Sequence, residues 1–122
     1  MAHIILIENG KLKKDIPITE DSTRIGREKL SHIWVDEPLV SRYHAEIYRR
    51  GSCYILEDKQ STNGTRLNGK LVTEKTVLGH KDKISIGAVI LIFEQDDSEI
   101  PGLIRSDSFD GTATVYDLLK HK

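Results

Sequence analysis

"YHAEIYRRGSCYILED", residues 43–58, is the stretch that decides the fold class. Its first half alternates. Tyr43, Ala45 and Ile47 fall on one face of an extended segment, and His44, Glu46 and Tyr48 on the other. Gly51-Ser52 breaks the run, and "CYILED" (53–58) resumes it. Similar segments flank the stretch on both sides. "HIILIE" (3–8), "KDIPIT" (14–19), "TRIG" (23–26) and "HIWVD" (32–36) precede it; "TRLN" (65–68), "KLV" (70–72), "KISIG" (83–87) and "AVILIFEQ" (88–95) follow. Asn9-Gly10, Pro38, Asn63-Gly64, Asn68-Gly69 and Gly79 punctuate them. Short strands at this spacing predict an all-β sandwich or barrel, with no helix before residue 95. "HIILIE" and "AVILIF" are apolar without alternation, which predicts strands covered on both sides.

The chain has 122 residues, enough for one domain with its own core. Apolar residues make up 38 % and charged residues 30 %, so a buried core and a solvated surface are both provided for. The net charge of −1 gives no global field toward nucleic acid or anionic lipid, and neither partner is expected. Cys53 has no second cysteine to pair with, which predicts a cytoplasmic location. The longest apolar run, 88–93, falls far short of the roughly 20 residues that span a bilayer. "MAHIILIENG" lacks the basic start of a signal peptide. After residue 95 the composition turns acidic and rich in Ser, Asp and Gly. Residues 1–95 therefore read as a β-domain and 96–122 as a flexible acidic tail.

Three motifs invite chemistry that their surroundings do not support. Gly64, Gly69 and Lys70 match the start of a P-loop, but Leu71 stands where Ser or Thr would hold magnesium, and β-branched residues follow instead of a helix. Ser41 and His44 lie three apart, on opposite faces if extended, without a nucleophile elbow or an obvious orienting carboxylate. The five histidines and one cysteine lack zinc-like spacing. Neither catalysis, a metal nor a cofactor is expected.

A set of polar loop residues remains. Gly26-Arg27 ends one strand, Ser41-Arg42 precedes another, and "STNGT" (61–65) lies between two more. Loops of an antiparallel sandwich gather at its ends. If these three meet, they offer guanidinium, hydroxyl, amide and backbone N–H groups together. That combination suits a small polyanion, above all a phosphate.

"GR" at 26–27, "SRYH" at 41–44, "STNGT" at 61–65 and "NG" at 68–69 resemble the signature of the forkhead-associated (FHA) domain, in its order and at its intervals, over residues about 4–94. The resemblance implies a β-sandwich of two antiparallel sheets with recognition loops at one end. It also implies phosphothreonine binding without catalysis. Arg27 resembles the phosphate-binding arginine and Ser41 the serine that donates to phosphate. Arg42 occupies a position that often adds a second phosphate contact. Thr62 resembles the residue whose hydroxyl or N–H reaches the phosphate, and Asn63 the one that bonds the peptide main chain. Gly26, His44 and Gly64 resemble scaffold positions. Asn68-Gly69 is read as a hairpin turn that fixes the loop before it. The implied partner is a phosphothreonine-containing protein or peptide, with a Ser/Thr kinase upstream.

The tail holds two candidate phosphorylation positions. Thr112 has Val115 three residues on, and Thr114 has Asp117. About 17 residues separate the last strand from Thr112, a span of up to roughly 55 Å when extended. The tail is thus a candidate ligand of its own domain, in cis or in trans.

Overall fold

The computed structural model describes residues 2–95, all of whose regular elements are strands. In chain order these are β1 (Ala2–Glu8), β2 (Lys11–Pro17), β3 (Ser22–Gly26), β4 (Ile33–Trp34), β5 (Ala45–Arg50) and β6 (Cys53–Asp58). There follow β7 (Thr65–Leu67), β8 (Lys70–Leu71), β9 (Thr76–Val77), β10 (Lys83–Ile86) and β11 (Val89–Gln95). They form a six-stranded sheet, β2-β1-β11-β10-β7-β8, and a five-stranded sheet, β4-β3-β5-β6-β9. The chain passes between sheets at residues 18–21, 59–64, 72–75 and 78–82. None of the described residues lies in a helix long and apolar enough to cross a membrane.

The sandwich departs from the sequence-based expectation in several places. β4 runs parallel to β3, pairing Ile25 with Ile33 and Gly26 with Trp34. The excursion over 27–32 leaves β3 at its end and rejoins it with chain direction unchanged, so only two residues pair. β2 begins at Lys11, earlier than "KDIPIT", because the Asn9-Gly10 turn sets its register opposite β1. It is an exposed edge strand guarded by Lys11, Lys13 and Lys14. β9 is a two-residue strand that the sequence did not announce. Finally, β1 and β11 are covered on one face only. Ala2, Ile4 and Leu6 are buried, whereas Ile5 and Ile7 are half-buried on the outer face. Ile5 stands opposite Ile92 and Ile7 opposite Ile90, so the outer isoleucines shelter one another across the strands. The pattern looked continuous because isoleucine occupies both rows.

Alternation holds in β5, where Ala45 and Ile47 are buried. It stops there: Tyr43 is exposed and His44 is fully buried, because residues 41–44 form a loop and not a strand.

The two sheets bury one core between them. Ile4, Ile84, Ile86, Leu91 and Phe93 come from the first, and Ile25, Ile33, Ile47, Tyr54 and Leu56 from the second. The Tyr54 and Phe93 rings lie 5.2 Å apart at 55°, joining the sheets by a tilted aromatic contact. Phe93→Ala is expected to cost about 3–5 kcal/mol. Leu12→Ala, at a side chain 65 % exposed on the edge strand, is expected to stay within about 0.5 kcal/mol. Urea unfolding midpoints of the two variants check the contrast.

Candidate functional site

The site begins where β3 ends. The Arg27 N–H donates to the Ser41 carbonyl at 3.0 Å, and the Glu28 N–H to the Arg42 carbonyl at 3.2 Å. These two rungs draw the strand end against the 41–42 loop. A Cβ on Gly26 would overlap the Arg42 carbonyl oxygen, so the approach requires glycine. The Arg27 Nε donates to the Val40 carbonyl at 2.9 Å. This pins the guanidinium by its inner nitrogen and, among the described residues, leaves its two terminal nitrogens for a ligand.

His44 ties that loop to the next. The Ser41 N–H donates to His44 Nδ1 at 2.9 Å, so Nδ1 is the unprotonated nitrogen. Nε2 therefore carries the hydrogen and donates to the Gly64 carbonyl at 2.9 Å. Both ring nitrogens hold backbone groups, which leaves neither for acid–base work.

The loop 59–64 is braced further by side chains. The Thr62 N–H donates to Ser41 Oγ at 2.9 Å, and Asn63 Nδ2 donates to the Leu39 carbonyl at 2.8 Å. The Ser41 hydroxyl hydrogen, the Thr62 hydroxyl, the Asn63 Oδ1 and one Asn63 N–H remain for a ligand. Gly87, in the β10–β11 turn, lies against Glu37 and Val40, which brings a fourth loop to the same end.

The two Asn-Gly pairs behave differently. Asn68 and Gly69 have φ of 52° and 89°, the two positive values of a type I′ turn, and they close the β7–β8 hairpin. Asn68 also bonds Asp82 Oδ1 and the Lys83 N–H, which fastens the hairpin to the β9–β10 loop. At Asn63-Gly64 only Gly64 has positive φ, and the chain there crosses between sheets with Asn63 turned toward the 37–42 loop. Leu71 of the hairpin packs closely against Gly64.

Thus Arg27, Ser41, Arg42, Thr62 and Asn63 are gathered at one end, on the scaffold of Gly26, His44 and Gly64. Thr112 and Thr114 lie outside the described residues.

Three contributors escaped the sequence reading. Asp58, the last residue of the "CYILED" strand, accepts the Ser61 N–H at 3.1 Å, the Ser61 hydroxyl at 2.5 Å and the Thr65 hydroxyl at 2.6 Å. Ser61 Oγ in turn accepts the Gly64 N–H at 3.0 Å. The signal was an Asp three residues before a Ser, the spacing of a side-chain-capped turn. Glu28 pairs with Arg42 at 3.0 Å. Burial pushes the Asp58 carboxyl up, and the Ser61 and Thr65 hydrogen bonds more than reverse this, leaving it below the ordinary carboxylate range.

Residues 23–87, more than half of the chain, match the family model for the FHA domain. The chain belongs to the FHA family. It is 38 % identical to the oxoglutarate dehydrogenase inhibitor of Corynebacterium jeikeium, over 62 % of this chain and 52 % of that protein. It is 39 % identical to the mouse "Angiogenic factor with G patch and FHA domains 1", over 67 % of this chain and 14 % of that protein. The FHA chain thus spans about half the length of the first relative and a small part of the second. Among solved structures it is similar to Mycobacterium tuberculosis EmbR in complex with a low-affinity phosphopeptide. The identity is 30 % and the TM-score 0.70, covering 76 % of this chain and 24 % of that one.

Because the folded Asp58 carboxyl titrates below its unfolded counterpart, its stabilisation is complete from about pH 5 upward, a unit above the unfolded value. It is lost as pH falls through the folded value. Asp58→Asn is expected to cost about 1–3 kcal/mol at pH 7 and to lose less than the parent between pH 5 and pH 3. Urea titrations at the three pH values read both effects.

Proposed function

We propose that this FHA chain is a phosphothreonine-dependent protein-binding module, a signalling adaptor and not an enzyme. The observation that carries this reading is the Arg27 guanidinium, pinned through Nε to Val40 with its terminal nitrogens uncommitted among the described residues, beside the Ser41 hydroxyl and its partner Thr62. In this reading Arg27 makes a two-pronged bond to the phosphate, Ser41 and Thr62 donate their hydroxyls, and Arg42 adds a second guanidinium. Asn63 uses its remaining N–H and its oxygen to hold the peptide main chain on either side of the phosphothreonine. The mycobacterial EmbR structure, solved with a phosphopeptide, supports the ligand class.

Phosphate dependence follows from the energetics. Without phosphate these donors face nothing, and each charge-assisted bond is worth roughly 1.5–3 kcal/mol. Threonine adds one methyl over serine, worth about 0.8 kcal/mol when buried, or about fourfold in affinity. The Gly87-Ala88 turn, which lies against the 37–40 segment, reads the residue three places after the phosphothreonine.

The finer assignments are part of the same proposal. The chain acts in the cytoplasm, downstream of a Ser/Thr kinase, and binds neither nucleic acid nor membrane. Thr112 and Thr114, once phosphorylated, compete with outside partners as internal ligands.

The test is capture of a degenerate phosphothreonine peptide library by the full chain. Arg27→Ala is expected to weaken capture at least about 100-fold, the lower end of the worth of two charge-assisted bonds, while the protein stays folded. Equal capture of phosphorylated and unphosphorylated libraries would contradict the proposal.

A further inference from the structure

The two arginines of the site are in different electrostatic states. Arg27 bonds a neutral carbonyl, and no carboxylate among the described residues pairs with it. Arg42, 63 % exposed, gives its terminal nitrogen to Glu28 Oε2 at 3.0 Å. Its guanidinium also lies 5.9 Å from the Tyr43 ring centre. The pairing is built into the backbone, because the Glu28 N–H bonds the Arg42 carbonyl and so sets both side chains on adjoining ends of one rung. The Glu28 carbonyl accepts the Ser31 N–H at 2.9 Å, which closes the turn that carries this side chain.

We propose that Glu28 is an internal counter-ion that competes with the ligand's phosphate for Arg42, and so sets the affinity of the site. This rests on the phosphothreonine reading above. In the empty protein Arg27 is the guanidinium ready to bind. Arg42 joins it only when an anion outbids Glu28, which a dianionic phosphate does more readily than a single carboxylate. Arg42 thereby discriminates by ligand charge, and Glu28 tunes how strongly. Exposed pairs of this kind are weak enough to exchange on binding.

The experiment uses the full chain and one phosphothreonine peptide recovered from the library, titrated by calorimetry against the parent, Arg27→Ala, Arg42→Ala, Glu28→Gln and the Glu28→Gln/Arg42→Ala double variant. Glutamine keeps the shape of the side chain, and the Glu28 main-chain bonds to Arg42 and Ser31 do not depend on its charge, so the loop is retained; thermal unfolding of each variant verifies this. Glu28→Gln is expected to tighten binding about two- to fivefold, the worth of an exposed pair. That gain is expected to vanish in the Arg42→Ala background. Parent-like affinity in Glu28→Gln overturns the proposal. So does a gain that persists without Arg42, which would mark a general charge effect. If Arg27→Ala abolishes binding in either case, the phosphothreonine reading stands and the counter-ion role alone falls. If Arg27→Ala binds like the parent, both fall.

Discussion

The His44 imidazole holds the recognition end together. It is fully buried, and its two nitrogens hold the Ser41 N–H and the Gly64 carbonyl, one from each of two loops. Any replacement that cannot both accept and donate at that separation leaves a buried backbone group unpaired, at roughly 1–3 kcal/mol each. Everything nearer the ligand depends on this link. Ser41 Oγ meets Thr62 because His44 has fixed both segments. Asn63 meets Leu39 for the same reason.

Around that bridge the loops are held almost wholly by polar contacts, in contrast to the aliphatic core below. Asp58 gathers Ser61 and Thr65, and Ser61 caps Gly64. These bonds fix backbone shape without using the groups that face outward. The division of labour is physical: buried acceptors set geometry, and exposed donors stay uncommitted. Arg27 shows both roles in one side chain, with Nε inward and the terminal nitrogens outward. Arg42 departs from it, since its charge is already matched by Glu28.

The all-β class was legible because strand alternation and turn chemistry are local. Asn68-Gly69 closes the hairpin the sequence indicates, and Ala45 and Ile47 face the core as their alternation predicts. The gathering of Arg27, Ser41, Thr62 and Asn63 was legible through the family signature, because those residues come in a recognisable order. Asp58 does end β6, but its side chain's hold on Ser61 and Thr65 rests on a local spacing that passed unread. Most of the rest depends on how the loops travel and meet. The burial of His44 broke the expected alternation because a loop, not a strand, carries it. The parallel β3–β4 pair follows from the path of residues 27–32, which no local pattern encodes. Glu28 finds Arg42 only because Gly26 permits two loops to touch.

The central claim is that one cluster of loops, built on His44, forms the ligand face. The most direct measurement is an amide-resolved NMR titration of the full chain with a phosphothreonine peptide and, separately, its unphosphorylated counterpart. The account predicts shifts concentrated at Arg27, Ser41, Arg42, Thr62, Asn63 and Gly64, with the phosphorylated peptide alone. Shifts centred on the outer face of the six-stranded sheet, or the same response to both peptides, would contradict it.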